Sequence, residues 1–135
     1  MMKEERNLER RKEGKRMKAE VDLRERTKQF AGRIIRLFAA MPRNTAAQIL
    51  GRQVLRSGTS IGANYREANR ARSKAEFVSK TGECLREADE TLYWLELLVE
   101  EGFLPSAKMQ SLMSEANELV AIFASIVKKA RDNAP

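Results

Sequence analysis

The sequence predicts an all-α fold, an antiparallel up-down four-helix bundle spanning residues 21–131. A hydrophobic period of 3.6 residues appears four times along the chain, and no strand-like alternation interrupts it. Only 7 Gly and 3 Pro occur among 135 residues, so long uninterrupted helices are expected. Because the connections between these segments are short, consecutive helices should lie side by side in opposite directions.

The first predicted helix runs from about residue 21 to residue 41, and Pro42 ends it because proline cannot continue a helix. Its apolar stripe consists of Leu23, Thr27, Phe30, Ile34, Leu37, Phe38 and Met41.

Residues 1–20 have no stripe, and we interpret them as a charged, flexible N-terminal tail. Residues 11–16 can be encoded wholly by purines, as a ribosome-binding site is, so Met17 is a candidate for the true start. Detection of a native peptide from residues 3–10 would contradict that hypothesis.

The second predicted helix begins at Asn44 or Thr45 and ends near residue 71. The third begins at Ser73, whose spacing to Glu76 fits a capping box, and Gly102 has the position of a capping glycine at its end. The stripe of the third helix consists of Phe77, Thr81, Cys84, Leu85, Ala88, Leu92, Leu95 and Val99.

The fourth predicted helix starts near Pro105 or Ser106 and ends at residues 132–135. Its stripe consists of Met109, Leu112, Met113, Ala116, Leu119, Val120, Phe123, Ile126 and Val127. Four amphipathic helices with apolar stripes of this length can enclose one common core.

Arginines line one side of the second helix. At 100° per residue, the core face is formed by Leu50, Val54, Ile61, Tyr65 and Ala68. The opposite side carries a basic ridge about 27 Å long, formed by Arg52, Arg56, Arg66 and Arg70. Arginine binds phosphate or carboxylate in a bidentate manner, so the ridge suits a nucleic-acid backbone or an acidic partner helix. A merely solvated helix face is the alternative, because no aromatic residues alternate with the arginines.

Between this ridge and the core lies a polar strip, formed by Gln53, Ser57, Ser60, Asn64 and Glu67. We interpret it as an interhelix strip whose side chains bond across to a neighbouring helix or back to their own backbone; a ligand site is the alternative. On the other flank lie Gly51, Gly58 and Gly62. Glycine inside a helix costs about 1 kcal/mol relative to alanine, so these three positions predict close approach of another helix.

The third helix is apolar on nearly all sides near its end. Tyr93, Trp94 and Leu97 lie off the core stripe, so they predict an oligomer interface. The alternative is that Trp94 covers a loop of its own subunit. Glu100 and Glu101 oppose the helix dipole, so a basic second helix of a neighbouring subunit is expected to compensate them.

Composition favours binding over catalysis. The net charge is +7, and residues 45–82 hold seven Lys and Arg against two acidic residues, whereas residues 83–104 hold one against seven. The chain has no His, and its single Cys84 falls on the core stripe, so we expect no enzyme, no metal and no cofactor. With no long apolar run, no signal segment and one Cys, we expect a cytoplasmic protein with no membrane partner.

Two runs of residues carry a family resemblance: RSGTSIGANYREA at residues 56–68, followed by SKAEF at 73–77, and EADETLYWLELL at 87–98. Together they closely resemble the four helix bundle protein family encoded in intervening sequences of bacterial 23S ribosomal RNA genes, also called the S23 ribosomal protein family. The resemblance covers about residues 23–128. Many members have NIAEG where this chain has NYREA at residues 64–68.

The resemblance implies an antiparallel four-helix bundle, often a ring-like homopentamer, without established catalytic residues. Accessory proteins of diversity-generating retroelements are similar; they partner a reverse transcriptase and bind nucleic acid through a basic surface. We therefore expect a self-associating, non-enzymatic protein that contacts RNA or DNA through its basic ridge. The alternative is a structural or adaptor homo-oligomer whose basic and acidic surfaces pair between subunits, with a protein partner and no nucleic acid.

Overall fold

The computed structural model describes residues 2–133, apart from the side chains of residues 20 and 21. Its four helices are α1 (Met2–Ala39), α2 (Thr45–Asn69), α3 (Lys74–Glu100) and α4 (Ser106–Asp132). Within residues 2–133 there is no strand, so the predicted all-helical fold class is confirmed, and the helices form a bundle. No helix in this part of the chain combines the length and apolar character needed to cross a membrane.

Side chains cap the beginnings of α2 and α3. Asn44 Oδ1 accepts a hydrogen bond from the Ala47 N–H at 2.9 Å, and Ser73 Oγ accepts one from the Glu76 N–H at 3.1 Å. The Glu76 carboxylate reaches back to the Arg72 N–H at 3.1 Å, one residue before the position expected in a capping box. Both caps satisfy backbone donors that have no partner inside the helix.

A glycine ends α3 as predicted. Gly102 has a φ of 78°, and its N–H donates to the Val99 carbonyl at 3.1 Å. The Phe103 N–H donates to the Leu98 carbonyl at 2.9 Å, which completes a Schellman motif. This tight turn lets α4 begin at Ser106. The predicted end of α4 includes residues 134 and 135, which lie outside the described residues.

The first helix begins earlier than the sequence pattern predicts. The hydrophobic period predicts a start at about residue 21, but α1 already begins at Met2, so the predicted start is wrong. Residues 2–19 are exposed, and Arg16 pairs with Glu13 at 2.6 Å one turn away. Glu, Lys, Arg and Met favour helix without any apolar stripe, so intrinsic propensity rather than core packing explains this segment. Its separation from the bundle as a distinct tail stays a prediction.

The core contains residues from all four predicted stripes. Its fully buried apolar side chains include Phe30, Ile34, Val54, Ile61, Leu95, Leu98, Leu119 and Phe123. The rings of Tyr65 and Phe123 meet edge to face with their centroids 5.7 Å apart. The predicted periodicity therefore identifies most of the core, although the buried Leu98 lies outside the predicted stripe of the third helix and the predicted core residue Leu50 is only partly buried.

Glycines bring α2 close to α1. A Cβ atom added at Gly58 would lie 2.8 Å from Ile34 Cγ1, and one added at Gly62 would lie 3.1 Å from Thr27 Oγ1. One added at Gly51 would lie 3.1 Å from Phe38 Cδ2 of α1. These distances are shorter than ordinary van der Waals contact, so the predicted close approach of a second helix is confirmed.

Contacts between consecutive helices occur in reversed order. Along α1 and α2, Ile34 meets Gly58 and Thr27 meets Gly62. The polar contacts between α2 and α3 join Ser57 to Thr91, Ile61 to Cys84, and Glu67 to Lys80. In both pairs, residue numbers rise along one helix as they fall along the other.

Polar side chains join α1 to α4, whereas α1 packs mainly on α2 and α4 mainly on α3. The Arg26 guanidinium donates to the Glu115 carboxylate through Nε at 2.8 Å and through Nη2 at 2.7 Å. Arg26 also pairs with Glu118, and Arg33 Nη2 donates to Ser111 Oγ at 3.0 Å. These bonds hold α1 and α4 together along one part of their length.

The Arg26–Glu115 pair should make stability depend on pH. The hydrogen bond from Arg26 lowers the pKa of Glu115 below its ordinary value near 4.5. A carboxyl group with a lowered folded-state pKa stabilises the fold above its unfolded pKa, and this contribution is lost as pH falls through the folded pKa. We expect Glu115→Gln to lower the free energy of unfolding by about 1 kcal/mol at neutral pH, with the difference shrinking as pH falls through the lowered pKa of Glu115.

Urea unfolding at a series of pH values tests this expectation. Glu118→Gln is the matched control, because Glu118 contacts the same arginine from a more exposed position. If both variants lose the same free energy of unfolding, or if the loss in Glu115→Gln persists in acid, the Arg26–Glu115 pair is not the source of the pH dependence.

Candidate nucleic-acid interface

Three of the four predicted ridge arginines, on α2 or directly after it, have no side-chain partner among the described residues. Arg52, Arg66 and Arg70 are exposed. Among the described residues, none of the three has a side-chain hydrogen bond or ion pair. Their guanidinium groups are therefore available to phosphate or carboxylate groups outside the chain.

The fourth arginine, Arg56, is engaged within its own chain. Its Nη2 lies 2.5 Å from Glu90 Oε1, its Nη1 lies 3.4 Å from Glu87 Oε2, and its Nε donates to Gln53 at 3.3 Å. Only 7% of Glu87 is exposed, so Arg56 neutralises a carboxylate that water hardly reaches. The same Glu90 oxygen accepts a hydrogen bond from Trp94 Nε1 at 3.2 Å. Arg56 thus joins α2 to α3, and its predicted role in nucleic-acid binding stays a prediction.

Ser57, in the polar strip, bonds both along α2 and across to α3. Its Oγ donates to the Gln53 carbonyl at 2.9 Å and lies 2.8 Å from Thr91 Oγ1. Ser57 and Thr91 are both fully buried. Among the described residues, no buried side-chain nitrogen or oxygen lacks a hydrogen-bond partner, which is the normal state of polar groups in a core.

The rest of the polar strip is more exposed. Ser60 Oγ donates to the Arg56 carbonyl at 2.6 Å, and the exposed Glu67 pairs with Lys80 of α3 at 2.6 Å. Asn64 is half-buried and, within the described part of the chain, makes no side-chain hydrogen bond. Ser57 and Glu67 therefore bond across to α3, while Ser60 bonds back to its own helix.

One end of the bundle is strongly basic. Lys74 Nζ donates to the Asn133 carbonyl, so the connection between α2 and α3 lies beside the end of α4. We define the basic pole as the exposed cations at this end: Arg66, Arg70, Arg72, Lys74, Lys128, Lys129 and Arg131. The predicted arginine ridge of α2 does not include the cations that α4 contributes. The sequence could have predicted this pole, because the ends of α2 and α4 are both rich in Lys and Arg and such ends meet at the same end of an up-down bundle.

The far end of α3 is acidic and presents aromatic surface. Glu96, Glu100 and Glu101 are exposed and have no ion pair among the described side chains. Tyr93 is 55% exposed, and its ring meets that of Trp94 edge to face at 5.0 Å. Trp94 and Leu97 are half-buried, and Trp94 packs partly on the core of its own chain. Their assignment to an oligomer interface stays a prediction.

A groove of about 740 Å³ opens between α1 and α4. Its walls are mainly apolar and include Leu23, Phe77, Ile122 and Ile126. Polar side chains at its edges include Asp22, Asn69 and Ser125. This volume lies within the range of small-molecule sites.

Cys84 is placed for packing. Its side chain is buried, and burial raises the pKa of the thiol to about 12, so the reactive thiolate is scarce at neutral pH. Its sulfur lies 3.6 Å from the Ile61 carbonyl oxygen. Within the described residues, no three Cys, Asp or Glu side chains are grouped so that they could hold a metal ion.

The chain matches the family described as 23S rRNA-intervening sequence protein over residues 19–125. It belongs to this family. Its fold is also similar to a crystal structure described as a protein with unknown function from the S23 ribosomal protein family of Bacteroides thetaiotaomicron VPI-5482. The two sequences are 37% identical, the TM-score is 0.75, and the similarity covers 81% of this chain and 97% of the other. A comparison with curated proteins gave no match.

The match to the 23S rRNA-intervening sequence protein family includes all of α2 and α3. It therefore contains all four ridge arginines and the α2–α3 part of the basic pole. The three cations that α4 contributes, Lys128, Lys129 and Arg131, follow the matched residues. Residues 2–18 of α1 precede them.

Proposed function

We propose that this 23S rRNA-intervening sequence protein is a non-enzymatic, oligomeric binding protein of the cytoplasm that contacts nucleic acid. The contact surface consists of the basic pole together with Arg52. The observation that carries this proposal is the set of exposed guanidinium groups without a partner among the described residues, next to further cations from α4. A polyanion gains most from such a surface because no internal salt bridge has to break when it binds.

The reversed order of helix contacts supports an antiparallel up-down bundle. In that arrangement the ends of α2 and α4 and the beginning of α3 share one end of the molecule. The first residues of α3 then lie at the basic pole, and Glu96, Glu100 and Glu101 lie about 35 Å away at the other end. Phosphate groups are attracted at one end and repelled at the other, which favours binding in a single orientation.

Binding to a fluorescein-labelled RNA hairpin, followed by anisotropy over a series of salt concentrations, tests the proposal. We expect affinity to fall steeply with salt, because bound phosphates release counterions. The double variant Arg66→Glu/Arg70→Glu should lower the slope of log affinity against log salt by about two and weaken binding at least about tenfold.

Lys108→Glu is the control for that experiment. Lys108 is an exposed cation in the first turn of α4, away from the basic pole. Tight binding that is indifferent to salt, or equal losses in the pole variant and the control, would overturn the proposal. A DNA hairpin of the same sequence shows whether the surface distinguishes RNA from DNA.

A structural or adaptor homo-oligomer with a protein partner is the second candidate. The exposed Tyr93, beside acidic residues without a partner among the described residues, favours a contact with another protein surface. The family resemblance implies a homopentamer. Light scattering during size-exclusion chromatography, with and without RNA at low and high salt, separates the candidates. A pentamer that RNA does not shift favours the adaptor, whereas a monomer contradicts the predicted interface at Tyr93, Trp94 and Leu97.

A further inference from the structure

The groove between α1 and α4 opens at the basic pole. Its wall residue Asn69 directly precedes Arg70. Phe77 lies one helical turn after Lys74, and Ile126 lies one turn before Lys129. An apolar recess therefore lies beside cations suited to a phosphate backbone.

The groove combines the features that hold a nucleobase outside its stack. It is lined by a half-buried aromatic residue, Phe77, and by the aliphatic residues Leu23 and Ile126. Unstacked bases are held by such stacking and by hydrogen bonds to their edges. Asp22 and Asn69 can supply those hydrogen bonds, since their side chains have no hydrogen bond to other described residues. The carboxylate accepts from amino and imino groups, and the amide both donates and accepts.

We propose that this groove binds one unstacked nucleobase of a nucleic acid whose backbone lies on the basic pole. This inference rests on the proposed function and names its substrate class: bulged or looped strands rather than fully paired duplexes. The charge beside the groove favours this occupant over an apolar segment of a second copy. A second copy would bring its own basic pole or positively charged α1 residues close to these cations.

Three RNA hairpins of equal length test the inference with the full chain. One has a fully paired stem, one carries a single bulged adenosine, and one carries 2-aminopurine at the bulge. We expect the bulged hairpin to bind about fivefold or more tightly than the paired one, which corresponds to one stacked base. The 2-aminopurine fluorescence should change on binding as the base enters the groove.

Two alanines of α4 provide matched variants. Ala121 lines the groove, whereas Ala124 is exposed on the same helix and does not line it. Ala121→Phe should fill the groove and remove the preference for the bulge, with affinity for the paired hairpin unchanged. Ala124→Phe should change neither affinity.

The outcomes separate this inference from the function on which it rests. Equal binding of bulged and paired hairpins, or a bulge preference that survives in Ala121→Phe, overturns the groove site and leaves nucleic-acid binding intact. Failure of every hairpin to bind overturns both. If Ala121→Phe instead lowers the oligomer mass measured by light scattering, a second copy occupies the groove and the base site is wrong.

Discussion

Gly58→Ala is expected to lower the free energy of unfolding by about 2 kcal/mol, although alanine is the better helix former. The added Cβ would lie 2.8 Å from Ile34 Cγ1 and 3.1 Å from Ile34 Cγ2. Ile34 is fully buried and branched at Cβ, so it cannot rotate away without disturbing the core. Overpacking of this kind outweighs the gain of about 1 kcal/mol in helix propensity.

Gly82→Ala is the matched control in α3. A Cβ at Gly82 meets nothing within 4 Å, so this variant should raise the free energy of unfolding by about 0.5–1 kcal/mol. Urea unfolding of both variants measures the contrast. The free energy of unfolding that Gly58→Ala loses should also be smaller in an Ile34→Ala background, because Ile34 Cγ1 and Cγ2 are absent there. If both glycine variants are equally stable, α1 and α2 are not as close as described.

Arg56→Glu is expected to destabilise the fold by about 2 kcal/mol, because it places a third carboxylate beside Glu87 and Glu90 and leaves Glu87 with only the longer Arg86 contact at 4.0 Å. Glu87 is buried, and Arg56 is the arginine that joins it to Glu90. Removal of one partner from a buried ion pair leaves an uncompensated charge in a region of low polarity. The half-exposed position of Arg56 keeps the expected effect below that of a fully buried pair.

Arg52→Glu is the control for Arg56→Glu. It makes the same charge reversal one turn earlier on α2, at an exposed arginine without a partner among the described side chains. We expect a change within about 0.5 kcal/mol for this variant. Thermal and urea unfolding at one protein concentration compare the two. Equal stability of the variants, with loss of oligomer only in Arg56→Glu, would show that Arg56 acts between subunits instead.

Most of the fold follows from periodicity and capping. The stripes of the four helices identify Phe30, Ile61, Leu95 and Phe123 as core residues, and all four are buried. Gly102 also predicts the end of α3. The start of α1 could not be predicted in this way, because a charged helix without apolar packing leaves no hydrophobic period.

The candidate site was predictable only in part. The helical wheel places Arg52, Arg66 and Arg70 on an exposed surface, but it does not show that Arg56 reaches the carboxylates of α3. That contact depends on the separation of two helices and on side-chain rotamers. The basic pole depends on which helix ends meet, so it becomes visible only when α4 is placed beside the beginning of α3.

Lysine footprinting with and without an RNA hairpin tests the central claim most directly. Acetylation is measured by mass spectrometry at Lys74, Lys128 and Lys129 of the basic pole, and at Lys108 as the reference. If nucleic acid binds as proposed, RNA slows acetylation of the three pole lysines and leaves Lys108 unchanged. Slowing at Lys108 alone, or no slowing at the pole while RNA is bound, would contradict the account.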